Sequence, residues 1–330
     1  MATTPLTLAD MISESTPLVA GVLQTLREES QFMDVLPFSD IAAISVKVYQ
    51  EGSMPNVSWR RIGLDHGSVK GDKPQEITEN AFSLGNEIDL DIMYMKDKSA
   101  RLYDPKVYQT RLITKALARN FTNKAINGLP TDKTNPTGLW YRLVYDLPAS
   151  QSILAASGGL DISPDSAALA VNTQIFIDQL DQLLYAVTGS LTGGSNVILL
   201  ANDTSIFRLN SAFRQSGNLS EAKDQLGRVF MEYKGAKIID MGYQYDEATR
   251  IIGNAELANG TALTGGGSTT IYAIKVGKDA FTAWQEYAMI VHPFELQSNK
   301  VTYKSVIDWV VGLAVAHPRA VARLYGIIAA

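Results

Sequence analysis

The 330-residue sequence contains no cysteine, which excludes disulfides, thiolate catalysis and cysteine-held zinc and leaves stability to packing and assembly. Histidine is almost as scarce. The three, His66, His292 and His317, share no metal-ligand spacing such as H-x-x-x-H, and each reads as a surface or packing residue. Charged residues make up only 19% of the chain and the net charge is −5, so the basic stripe of a dedicated nucleic-acid binder is missing. Any contact with DNA is expected to be weak and diffuse. VVGLAVA, the longest apolar run near the C-terminus, is far too short for a bilayer, and MATTPLTLAD lacks the basic and apolar regions of a leader. The expectation is a soluble cytosolic chain with no membrane partner. Nucleotide loops and the G-x-S-x-G elbow are also absent, and the Gly-rich stretches GSLTGGSN and TALTGGGST precede extended segments instead of linking a strand to a helix. No cofactor, catalytic residue or enzymatic role is expected.

What is present is globular: 46% hydrophobic residues suffice for one large or two intermingled domains. Residues 44–94 stand out. Ile44, Val46 and Val48 alternate with Ser45, Lys47 and Tyr49, while Ile88, Leu90 and Ile92 alternate with Glu87, Asp89 and Asp91. Val57, Trp59, Ile77, Ala81 and Phe82 continue the extended habit on either side of GLDHGSVKGDKP. The pattern predicts a long two-stranded hairpin with a Gly-rich tip, and arms of about 12 residues would reach on the order of 40 Å. An isolated hairpin is marginal in water, so its apolar face needs another surface. The most economical supplier is a second copy of the chain. Trp59, Arg60, Arg61, Lys70, Lys73, Glu87, Asp89 and Asp91 are the candidate contact residues. The three acids share one strand face and could instead ligate Mg²⁺ or Ca²⁺; the other reading pairs them with Lys47, Arg60 or Arg61.

Residues 1–40 predict a docking arm with one amphipathic helix over 17–30, apolar at Leu18, Val22, Leu23 and Leu26. A longer helix is expected from the cap Asp104 through Pro105 to Asn127, stopped by Gly128. Leu112, Ile113, Ala116, Leu117 and Phe121 form its apolar side. Arg111, Lys115, Arg119 and Asn123 form a basic row that reads as a DNA-facing stripe or a solvated face paired with acids. Residues 135–146 predict a turn and a short aromatic strand, 166–187 a helix, and 197–201 a buried strand followed by a helix capped by Asp203. A hairpin turns at Gly235. A strand follows at 271–276 and a short apolar segment at 280–284, and 295–311 reads as one extended run with Val301, Tyr303, Ser305, Ile307, Trp309 and Val311 on one face.

Taken in order, these parts resemble the major capsid protein of tailed bacteriophages, the family with the Hong Kong 97-like fold. The resemblance rests on Leu36 to Phe38 closing the arm, on Pro55, Val57, Trp59 and Arg60 in a hairpin closing on GNEIDLDIMY, and on the helix from Asp104. PTGLW, NVILLANDTSIFRLNSAF, the segment from Gly227 to Ala236 and the late strand extend it over nearly the whole chain. It implies an α+β fold in which 1–43 is an N-terminal arm and 44–94 an extended loop over the adjacent subunit. By the same likeness, 95–150 with 287–312 form a peripheral domain around a spine helix at 104–127, and 151–286 with 313–330 an axial domain. It implies a non-enzymatic structural protein of the virion, assembled in the host cytoplasm into hexamers and pentamers around double-stranded DNA. Separate scaffold, portal and possible decoration proteins would be its partners. The shell of a bacterial nanocompartment shares the fold and is the alternative, with a carboxylate-metal enzyme as a further one. No extended, charged scaffolding region is expected with the arm, which implies a separate scaffold protein or none, and no motif marks a crosslinking acceptor for Lys70 or Lys73.

Overall fold

The computed structural model describes residues 6–50, 57, 59–64, 75–96, 104–189, 196–216, 220–223, 229–298 and 300–329. It opens with helices α1 (Leu8–Glu14), α2 (Pro17–Glu29) and α3 (Gln31–Val35) and strand β1 (Phe38–Asp40). Thr7 and Asp10 form a capping box on α1, and Pro17 occupies the first position of α2. These elements lie on the chain's own body. Val22, Leu23, Leu26, Phe32, Met33 and Phe38 are buried in the main core, while Leu18 remains half-exposed.

β2 (Ser45–Gln50), β3 (Gln75–Asn80), β4 (Phe82–Asp91) and α4 (Ile92–Lys96) follow. The expected long hairpin divides here. β2 and β3 pair with each other over six residues, from Ser45–Asn80 to Gln50–Gln75. β4 leaves the ribbon and pairs with residues 302–311, so Ile88 and Leu90 are buried in their own subunit. Ile92, expected to continue the alternation, begins a helix. Alternation reports the two faces of a strand but not its partner, and these strands meet across most of the chain.

α5 (Pro105–Asn127) has the expected bounds: Asp104 Oδ1 accepts from the Lys106 N–H at 2.9 Å, and Gly128 caps the other end. Its buried side is turned from the expected one. Leu112 and Ala116 are exposed, whereas Thr114, Leu117, Ala118, Phe121, Thr122, Ala125 and Ile126 face the core. Thr114 and Thr122 can enter because each hydroxyl donates to the carbonyl four residues back, at 2.7 and 2.8 Å. The aromatic strand expected within 135–146 is helical instead, as α6 (Leu139–Tyr141) and a π-helical turn, Arg142–Asp146. Burial of Leu139, Trp140, Arg142 and Leu143 follows a helical turn rather than a period of two.

The remainder comprises β5 (Ser152–Leu154), β6 (Leu160–Asp161), α7 (Leu169–Thr188), β7 (Val197–Ala201), α8 (Asp203–Ser216), β8 (Ser220–Lys223), β9 (Val229–Tyr233), β10 (Ala236–Asp240), β11 (Thr269–Lys275), β12 (Phe281–Gln285), β13 (Ile290–Leu296), β14 (Thr302–Val315) and β15 (Val321–Ile328). An eight-stranded sheet runs β5-β15-β11-β7-β10-β9-β8, with β6 also on β15. Its central strands are apolar on both faces because both are covered. One face packs on Phe176, Leu180, Leu184, Leu209 and Phe213 of α7 and α8; the other gives Ile198, Leu200, Tyr272 and Ile274 to the main core. Lys234 and Gly235, both left-handed, make the β9–β10 turn. The cap of α8 is Asn202, whose Oδ1 accepts from the Ser205 N–H at 2.9 Å, and not Asp203 as expected.

A five-stranded sheet runs β1-β12-β14-β13, with β4 also on β14. The single run expected over 295–311 is two antiparallel strands, β13 and β14, joined by a turn with Lys300 at φ 57°. Along β14, Ser305, Ile307, Trp309 and Val311 are buried as the alternation predicts. They face α5 and the N-terminal helices across the main core.

Candidate assembly surface

The opposite face of the five-stranded sheet carries charge. Residues directly opposite across antiparallel strands share a face, so the registers Glu295–Lys304–Asp89 and His292–Val306–Glu87 bring six side chains together. Asp91 and Asp308 keep the same alternation. Five carboxylates, Glu87, Asp89, Asp91, Glu295 and Asp308, thus share this face with Lys304. Its Nζ lies 2.5 Å from Glu87 Oε2, and that carboxylate raises the lysine's pKa. Asp308 accepts from Ser83 Oγ at 2.5 Å and from the Tyr287 hydroxyl at 2.9 Å. Asp91 Oδ1 accepts from the Met93 N–H at 2.6 Å and so starts α4.

The β2–β3 ribbon rests at its root on the same face, where Val46 and Val48 meet Val310 and Ala314. Lys47 is paired across the ribbon with Glu76 at 2.6 Å. Beyond it Val57, Trp59 and Ile62 are almost wholly exposed, and Arg60 and Arg61 are exposed between them. Lys70, Lys73 and His66 fall outside the described residues. The acids therefore find Lys304 rather than the expected Lys47, because β14 is the neighbour that sequence order conceals.

Elsewhere Lys115 and Arg119 of the α5 row are paired with acids. Lys115 and Arg119 hold Glu29 at 3.2 and 2.6 Å, and Arg119 also meets Glu247 at 3.1 Å. Burial pushes the Glu29 pKa up, but the two cations outweigh it and hold it below the usual range. Among the described residues no three His, Asp or Glu side chains converge on a metal-sized site. A cavity of about 550 Å³ lies between α2, α5 and β13 and is lined by Leu18, Val22, Val107, Val291 and Phe294. Two buried ion pairs went unforeseen: Arg142–Glu79, and Arg323–Glu256 at 3.2 Å with the Trp140 indole on the same carboxylate at 3.3 Å.

No family model matches the sequence, and no curated protein does either. The fold does match solved structures. It superposes on the holo-SrpI encapsulin complex from Synechococcus elongatus PCC 7942 with TM-score 0.58 and 16% identity, over 89% of this chain and 86% of that one. It superposes on a chain of Mycobacterium phage Bobi with TM-score 0.57 and 11% identity, over 91% and 89%. The capsid of a native GTA particle gives 0.56 and 15%, over 92% and 90%. The chain has the Hong Kong 97-like fold. Within that fold the ribbon and the acidic sheet face lie on one side of the five-stranded sheet, and the N-terminal helices and α5 on the other.

Proposed function

We propose that the chain is the shell subunit of a phage head, assembling with itself into hexamers and pentamers around double-stranded DNA. The observation that carries this reading is a capsid-type fold whose uncovered sheet face is acidic while its exposed ribbon carries Trp59, Arg60 and Arg61. These charges are complementary between copies. A ribbon laid on the next subunit would set its arginines against Glu87, Asp89 and Asp91, and opposite potentials steer and register such contacts. Residues 1–43 form the arm and 44–81 the extended ribbon. The peripheral domain comprises 82–150 with 287–312, and the axial domain 151–286 with 313–330. Scaffold, portal and decoration proteins are the further partners, and assembly takes place in the host cytoplasm.

Electron microscopy of the purified protein tests this: closed particles support it, and a monomer under all conditions, with or without scaffold, overturns it. Arg60→Glu with Arg61→Glu should leave the subunit folded and lower the particle yield at least tenfold, and high salt should do the same to the native protein. The likeness to an encapsulin supports a second reading, a nanocompartment enclosing protein cargo. Nuclease-resistant double-stranded DNA inside particles from the native source decides for the head.

A further inference from the structure

One charge is buried at the root of the ribbon. Glu79 of β3 lies opposite Val46, beside the Val48–Ile77 pair, on the inner face of the ribbon, and it is only 8% exposed. Its carboxylate meets the guanidinium of Arg142, 6% exposed, as a two-pronged pair: Nη2 donates to Oε2 at 2.8 Å and Nη1 donates to Oε1. The Arg142 Nε donates to the Thr137 carbonyl at 3.0 Å, and Nη2 reaches the Leu313 carbonyl at 3.5 Å. Arg142 also opens the π-helical turn, its carbonyl accepting from the Leu147 N–H at 2.8 Å. One side chain thus ties together the ribbon, the π-helical turn and the end of β14.

Stability alone does not call for such a pair. Apolar residues of similar volume at a buried ion pair are often as stable or more so, because desolvating two charges offsets most of their attraction. The pair differs from the ribbon's other anchor in being directional. That other anchor is a small apolar cluster of Ala81, Trp284 and Ala314 with Val46, Val48 and Val310 against it, and apolar burial does not fix an angle. A planar guanidinium on a carboxylate does. Ala81 alone separates β3 from β4, so a rotation at Glu79 swings the ribbon against the sheet that β4 belongs to.

We propose that Glu79 and Arg142 are positioning residues that set the angle at which the ribbon leaves the body, and through it the geometry between neighbouring subunits. This rests on the shell-subunit reading. Losing the pair frees the ribbon without unfolding the subunit, and the assembly product spreads over several forms.

The test compares the native chain with Glu79→Gln and with the apolar double variant Glu79→Leu, Arg142→Met. Three quantities are measured: hydrogen exchange at 45–50 and 75–80 in the unassembled subunit, the thermal midpoint, and the particle diameter distribution. The double variant should keep its thermal midpoint within a few degrees, exchange about tenfold faster in both ribbon strands and broaden the diameters. Unchanged ribbon exchange with unchanged diameters overturns the proposal. If Glu79→Gln fails to fold because it strands a buried cation, the double variant still decides. If the native chain forms no particles, the shell reading falls, while ribbon exchange still shows whether the pair holds the ribbon.

Discussion

Trp309 sits between Phe38 and Phe121, with ring centroids 5.2 and 6.0 Å away, and its indole donates to Gln285 Oε1 at 2.8 Å. Trp309→Ala should cost about 3–5 kcal/mol in urea unfolding, since it removes the ring and strands the Gln285 amide oxygen. Asp203 offers a pH test. Burial works against its charge, but the Arg250 guanidinium, the Tyr243 hydroxyl and the Thr204 N–H outweigh this and hold its pKa at about 2. A carboxylate depressed on folding adds stability that is complete above its unfolded value, near 3.8, and is lost as pH falls toward 2. Asp203→Asn should therefore cost up to about 2 kcal/mol at pH 7 and flatten the stability curve between about pH 4 and 2, read by thermal melts across pH. Trp309 was legible as a core residue because its alternation is local. Glu79, Arg142, Glu256 and Arg323 were not, because a charge destined for burial leaves no mark in its own neighbourhood.

Among elements, α5 and β4 show where reading the sequence succeeds and where it stops. The bounds of α5 lie in its cap and stop residues, whereas its buried face depends on threonines that only their backbone bonds make compatible with a core. β4 is legible as a strand, but its alternation does not reveal that β14 is its partner. Its true register is demanding: a Cβ on Gly85 would lie 2.2 Å from the Ile307 carbonyl oxygen. Gly85→Ala should push β4 from β14 and cost about 1–3 kcal/mol, seen as a lowered thermal midpoint, with the acidic face of β4 disordered along with it.

At the scale of the whole molecule, neither of the two large cores contains any of the described residues from 44–80. Replacing 45–80 by a short Gly/Ser linker, with Arg142→Met so that no cation is left unpaired, should preserve one cooperative melt within a few degrees of the native one and abolish particles. The order of the strands also has a consequence for synthesis. β15 lies between β11 and β5 in its sheet, and β14 between β4 and both β12 and β13 in the other, so neither sheet can close until residues 302–328 have emerged from the ribosome. Pairings this distant in sequence make folding slow, in the millisecond-to-second range. While translation continues, β4 lacks its partner and the acidic face it shares with β14 does not exist. If the chain builds a shell as proposed, nascent chains on one polysome would then lack this surface, and subunits would become competent to join one another only after release.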